Sequence, residues 1–192
     1  MAKAKGTTIV PLVRFLRVHR DAARAALPAH LQHYLENRVL PSSWYPEQDL
    51  LELLRVAAPM LGASVPDPFE LMGRLAARDH LEGAYAHLFE GVDHPLAIPR
   101  RAFAMWATMH DTGRFECIEE GPGSARVELA DFALPSREMC SVVAGYLSET
   151  LRLCGFEAEP AEKLDCRLDG APRCSWRVRY TAPSAPPASD GT

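Results

Sequence analysis

"RFECIEEGPGSARVELADF", residues 114–132, is the stretch that decides the fold. Upstream of it, apolar residues recur at helical spacing. From Gly113 onward they alternate with polar ones, on both sides of Gly121-Pro122-Gly123-Ser124, and that pattern reads as a β-hairpin. On the first strand Phe115, Cys117 and Glu119 share one face, and on the second Val127 and Leu129 do.

Downstream, "LPSREMCSVVAGYLSETLRLCGF" (134–156) reads as one amphipathic helix. Ser136 is its cap and Gly155 its stop. Met139, Val142, Val143, Tyr146, Leu147, Thr150, Leu151 and Cys154 form the apolar stripe, with Glu138 and Glu149 outward. "LDCRLDGAPRCSWRVRY" (164–180) is a second hairpin turning at Asp169-Gly170 and Pro172. Cys174, Trp176, Val178 and Tyr180 point inward, opposite Leu164, Cys166 and Leu168, while Ser175, Arg177 and Arg179 point outward.

Upstream, four helices are expected. The first runs from Asp21 to about Asn37. The second follows "LPSSWYPEQDLLELLRVAAPMLG" (40–62), with Ser42 or Ser43 as cap and Trp44-Tyr45-Pro46 as a staple fixing the approach of the chain. The third runs from Asp67 to about Glu90, with Leu75 in its inward stripe, and the fourth spans "PRRAFAMWATMHDTG" (99–113). The fold class is α+β: N-terminal helices followed by a β-β-α-β-β unit, an antiparallel four-stranded sheet packed on helices. Residues 9–181 form a single domain, helical over 9–110 and ββαββ over 111–181. Residues 1–8, small and basic, and the Pro/Ser/Ala-rich tail 182–192 read as disordered.

Composition narrows the function. With 192 residues, 47% of them hydrophobic, the chain can bury a core without staples, and a net charge of −4 argues against a broad nucleic-acid surface. No apolar run approaches a membrane span or a signal peptide, and five scattered cysteines do not make a secreted disulfide scaffold. A cytoplasmic protein with reduced thiols and no membrane contact is expected. "GPGSA" is a hairpin turn with no strand-to-helix context for a nucleophile elbow, and no phosphate-binding loop is present, so an enzyme is not expected. His80 and His87, seven apart with no partner at i+3 or i+4, do not form a metal pair.

The cysteines are the distinctive feature. A hairpin centred on Gly170 sets Cys166 opposite Cys174 with Cβ atoms roughly 4.5–5.5 Å apart. Such a pair is a core thiol pair, a disulfide, or half a zinc site. Cys140, early in the packing helix, offers a third thiolate, and Cys117 or Glu119 a fourth ligand from the first hairpin. The close C-x-x-C spacing of common zinc sites is absent, and spacing alone favours core thiols.

Cys140, Gly145 and Tyr146, with the C-x-x-x-G-x-x-x-C of Cys166, Gly170 and Cys174, resemble the 4-vinyl-reductase-like small-molecule-binding domain. That fold is shared with TRAPP trafficking subunits and is close to the heme-NO-binding family. "LPSSWYPEQDLLELL", "DTGRFE", "FALPS" and the cysteine hairpin with its following Trp176 further resemble a myxobacterial paralogous family of unknown function. The resemblance implies a structural zinc on Cys140, Cys166 and Cys174, with Glu119 as the acidic partner. The heme-NO-binding fold uses a helix histidine as axial ligand and a Tyr-x-Ser-x-Arg motif for the propionates. The hairpin here lacks that motif, His94 precedes a proline, and His110 sits at a helix end where an imidazolium suits the dipole. Heme is therefore not expected.

The reading is a sensory or regulatory module that binds a small apolar or aromatic molecule between helices and sheet. Phe103, Trp106, Phe115, Tyr146 and Trp176 line the site, a regulatory partner protein receives the signal, and the chain pairs as a homodimer. The alternative is a ligand-free TRAPP-like interaction subunit, and a third is a heme- or tetrapyrrole-binding protein. A solid core around Trp106 and Tyr146 would favour the interaction subunit, and a cavity there the sensor.

Overall fold

The computed structural model describes residues 1–181 except 93 and 95, and of Pro99 only the backbone. The expected disorder of 182–192 lies outside the described residues. The order is β1 (Lys3–Lys5), α1 (Gly6–Val18), α2 (Arg20–Ala26), α3 (His33–Glu36), β2 (Trp44–Pro46), α4 (Glu47–Ala57), α5 (Pro68–Leu81) and α6 (Ala97–Met109). Then come β3 (Arg114–Gly121), β4 (Ser124–Ala130), α7 (Arg137–Leu153), β5 (Glu157–Ala158), β6 (Glu162–Asp165) and β7 (Cys174–Thr181). This is the α+β plan of N-terminal helices followed by a β-β-α-β-β unit.

The first hairpin has the register its alternation implied: Phe115 faces Leu129, Cys117 faces Val127 and Glu119 faces Ala125. The sheet has five strands where four were expected. β7 is central, with β4 on one side and both β5 and β6 on the other. Two-residue β5 is too short to leave an alternation in the sequence. Cys174, Trp176, Val178 and Tyr180 are buried as alternation required. Ser175 is also fully buried, because its hydroxyl donates to Asp165 Oδ2 at 2.6 Å. Leu168 lies in a 3-10 turn after Cys166 and is 48% exposed, so it is not an inward strand residue.

Helix α7 covers the sheet and packs on α5. The Ser136 hydroxyl accepts from Met139 N at 3.0 Å, and Gly155, at φ 88°, lets the chain turn off the helix end. Two glycines set the α5–α7 crossing. A Cβ on Gly145 would lie 2.0 Å from the Glu70 carbonyl oxygen, and one on Gly73 2.0 Å from that of Val142. Only glycine lets the backbones approach that closely. Glu149, expected outward, is buried in this crossing and takes Arg78 at 2.6 Å.

The helical half departs most from expectation. Residues 1–8 are ordered: β1 pairs antiparallel with β2, and Ala4 is fully buried. Three-residue strands carry no readable period, and basic Lys3 and Lys5 flank the buried alanine. Trp44-Tyr45-Pro46 is that partner strand rather than a staple, and α4 begins at Glu47 with neither Ser42 nor Ser43 capping it. The helix expected over 21–37 is divided by Leu27-Pro28, because proline cannot continue it. α5 stops at Leu81 rather than near Glu90, two residues before Gly83. Leu75 is 49% exposed. No helix among the described residues is long and apolar enough to cross a membrane.

Candidate functional site

A cavity of about 320 Å3 lies where α1, α4, α5, α6, β3 and α7 meet. That is within the range of small-molecule sites, roughly 300–1,000 Å3. Its walls are almost wholly apolar, and half-exposed Leu75 borders it. Phe103, Trp106, Phe115 and Tyr146 border the cavity; Trp176 does not. Phe103 stacks on Phe115 at 5.1 Å between ring centroids, and Trp106 meets Phe115 edge-on at 4.9 Å. Trp176 instead fills the core under β7, donating from its indole nitrogen to the Cys140 carbonyl at 3.2 Å.

Two histidines also border the cavity, and the sequence reading assigned a site role to neither. His80, on α5, is buried, and Tyr146 Oη lies 3.1 Å from its Nδ1. Burial lowers its pKa, against the opposing influence of Asp79 and the Thr7 backbone, which favours the neutral ring. Its Nε2 is buried without a hydrogen-bond partner. Tyr146 is itself pushed far above the ordinary phenol value by burial.

His110 is not an exposed helix cap. It is 7% exposed and stacks on Trp106 at 3.8 Å. Its Nδ1 lies 3.0 and 3.1 Å from the two carboxylate oxygens of Glu47, which is 1% exposed. The N-terminal strand brings these two residues together. Glu47 N donates to the Ala2 carbonyl at 2.9 Å, Ala4 forms a bridge with His110, and Asp111 N donates to the Lys3 carbonyl at 3.0 Å. Sequence spacing gave no hint, since 63 residues separate the partners. The one available signal was a glutamate opening an apolar helix and a histidine closing another.

The second cluster is the cysteine trio. The sulfurs of Cys140, Cys166 and Cys174 all lie within 4.8 Å of one another, with Cys140 and Cys174 3.7 Å apart. Tetrahedral thiolates at metal–sulfur distances near 2.3 Å would sit about 3.8 Å apart. Burial pushes the Cys140 thiol up to about 12, against the Lys163 ammonium. Burial also raises Cys166, but the Leu168 backbone N–H, the two neighbouring thiols and Lys163 outweigh it, and its pKa falls below the ordinary value. Lys163 is held there 3.6 Å above the Trp176 ring.

Glu119 is not the fourth ligand. Cys174 lies across from Leu129, and Leu129 across from Phe115. Glu119 is four residues farther along β3, about 13 Å away along the strand, and it is exposed. Alternation fixed its face but not its distance. Cys117 and Cys154 also lie outside the trio, and burial raises each thiol to about 11.

No family model matches the chain, and no curated protein matches it. The likeness to the 4-vinyl-reductase-like, TRAPP and myxobacterial families therefore has no support beyond the motifs quoted above. Solved structures do match. An oxygen-binding H-NOX domain related to soluble guanylate cyclases, in its oxygen complex, aligns over 97% of this chain and 100% of its own, with TM-score 0.68 and 14% identity. An H-NOX protein from S. oneidensis in the Fe(II)NO ligation state aligns over 92% and 99%, with TM-score 0.68 and 11% identity. A mutant T. tengcongensis H-NOX aligns over 94% and 100%, with TM-score 0.68 and 14% identity. At these identities the likeness is one of fold: the chain has the heme-NO-binding fold. This corrects the expectation against heme. That expectation rested on a missing motif and on a misplaced His110, and the like-folded proteins include ones described by their iron ligation.

Proposed function

We propose that the chain is a sensory module that takes a heme in this cavity and reports on it through a partner protein. The cavity itself carries the reading. Trp106 and Tyr146 border an open space of about 320 Å3, where a ligand-free interaction subunit would pack a solid core. When bound, heme supplies an iron able to take a diatomic gas or an electron. Two imidazoles, those of His80 and His110, border it within apolar and aromatic walls. One departure from the fold's usual pattern stands. Among the described residues no Lys or Arg lines the cavity, so these walls offer no cation to a ligand's carboxylates and binding rests on apolar contact.

Hemin titration tests this, followed by the absorbance of the heme band, with an apolar fluorescent dye (anilinonaphthalene sulfonate) as a second probe. Saturation at one hemin per chain supports the reading. Dye binding without hemin binding ends the heme assignment and keeps a small-molecule site. Binding of neither returns the weight to the interaction subunit.

Cys140, Cys166 and Cys174 are proposed as ligands of a soft divalent metal, without Glu119. Their mutual approach within 4.8 Å supports this. Plasma mass spectrometry of reduced protein should find near one metal per chain, lost in Cys166→Ser. A metal-free native protein would make them core thiols.

A further inference from the structure

We propose that β3 is the edge on which two copies of this chain pair, antiparallel and centred on Cys117, so that Arg114 of each copy meets Glu120 of the other. This inference is independent of the heme and metal readings above.

β3 ends the sheet. It pairs with β4 on one side, and among the described residues no strand pairs with its other side. Its eight residues offer a row of unpaired backbone N–H and C=O groups to another strand. The outer face carries Arg114, Glu116, Ile118 and Glu120 in alternation. Ile118 is 47% exposed, an apolar side chain within a charged row. Inward from the edge, the row continues as a lattice of ion pairs. Arg173 takes Glu116 at 3.0 Å and Glu128 at 2.7 Å, and Arg177 takes Glu120 at 2.7 Å and Glu162 at 3.5 Å. At the edge itself the Arg114 side chain stays 64% exposed, although Glu116 lies 3.3 Å and Asp131 3.7 Å away.

The charges select one register. A two-fold axis normal to the sheet keeps outer face beside outer face, so opposed residues must share a face. Centred on Cys117, Arg114 faces Glu120 of the second copy at both ends. Glu116 faces Ile118, and the two Ile118 side chains meet diagonally across the axis. Centring on Glu116 or on Glu119 sets a carboxylate against itself, and centring on Ile118 sets Glu116 against Glu120 twice. Like charges directly opposite each other destabilise a strand pair. Centring on Phe115 overlaps Arg114–Glu116 alone. In the selected register the inner face sets Phe115 against Glu119, whose exposed side chain reaches water. The bulge between Glu119 and Gly121 bends the edge away and limits the pairing at that end. Each copy has one β3 edge, so the contact closes into a dimer and does not propagate. It is smaller than a standard interface, and the pairing is therefore weak and concentration-dependent. Phe115 borders the cavity, so the second copy lies against the strand that forms one of its walls.

Sedimentation velocity of the full chain over a concentration series tests the pairing, with circular dichroism melting as the check on folding. Wild type shifts toward the dimer as concentration rises. Arg114→Glu and Glu120→Arg each set like charges opposite each other at both ends, and each alone weakens the dimer by about tenfold or more. Mixed in equal amounts, the two variants pair again, because each supplies the charge the other lacks. Ile118→Glu changes an exposed side chain and neither ion pair. It sets a carboxylate opposite Glu116 and also weakens the dimer by about tenfold or more. A wild-type chain that stays monomeric throughout the series overturns the proposal. So does a dimer that survives Ile118→Glu, which would lie on another surface. A mixture of the two charge variants that pairs no better than its components overturns the register.

Discussion

Gly145→Ala isolates the α5–α7 crossing. The added Cβ would lie 2.0 Å from the Glu70 carbonyl oxygen and 3.1 Å from the Glu70 Cα, both backbone atoms that no side-chain rotation can move aside. An ordinary carbon–oxygen contact is about 3.3 Å, so the helices must part by roughly 1.3 Å. Overpacking of this kind costs about 1–3 kcal/mol, and a rigid backbone obstacle belongs at the upper end. Alanine recovers about 1 kcal/mol of helix propensity, leaving a net loss near 2 kcal/mol. For a chain of this size that lowers Tm by about 4–8 °C. Circular dichroism melting of wild type and variant at equal concentration reads it directly. The displacement also carries Tyr146 away from His80, so the cavity wall shifts with the helix. A variant that melts at or above the wild-type temperature would mean that propensity won, and that the helices do not cross as closely as the structure has them.

Three further outcomes are expected. Burial holds the His80 pKa below its ordinary value; below about pH 6.5 the unfolded chain takes up a proton that the folded chain refuses, so stability falls as pH drops. Urea unfolding at pH 7.5 and 5.5 should show that loss, and His80→Gln should make it smaller; an equal loss in the variant refutes the assignment. In metal-free protein at pH 7.5, iodoacetamide should modify Cys166 before Cys117, Cys140 and Cys154, whose thiols are held near 11, 12 and 11. Peptide mass spectrometry gives the order, and Cys140 reacting first would contradict it. Ala102→Leu adds volume at the cavity wall; it should stabilise the ligand-free protein by about 0.5–2 kcal/mol while weakening hemin binding at least tenfold, and a variant that binds hemin as well as wild type would place the ligand elsewhere.

The C-terminal half was legible because its elements are long enough to show a period. Eight residues of β3 and eight of β7 alternate visibly, and seventeen of α7 carry a stripe between a serine cap and a stop glycine. The cysteine trio followed from that geometry, since hairpin and helix each fixed one face. Glu119 failed on the other coordinate, because a face says nothing about position along the strand. The helical half hid its key contacts for a different reason. β1 and β2 have three residues each, below any readable period, and they carry the pairing that brings Glu47 to His110. Polar side chains at helix ends read as solvated by default, so the burial of Glu47, His80 and His110 was not legible without their partners, 63 residues away for Glu47 and His110 and 66 for His80 and Tyr146.

The central place of β7 has a consequence for the chain's birth. Synthesis is vectorial, and segments nearer the N-terminus leave the ribosome first. β3 and β4 can pair as soon as they emerge, yet β4, β5 and β6 all wait for Cys174–Thr181 before their remaining edges are satisfied. Until then the nascent chain exposes the open edge of β4 and the uncovered stripe of α7, surfaces that invite mispairing with neighbouring chains. Ribosomes stalled just before and just after residues 174–181 emerge should therefore differ sharply in protease sensitivity and in chaperone occupancy.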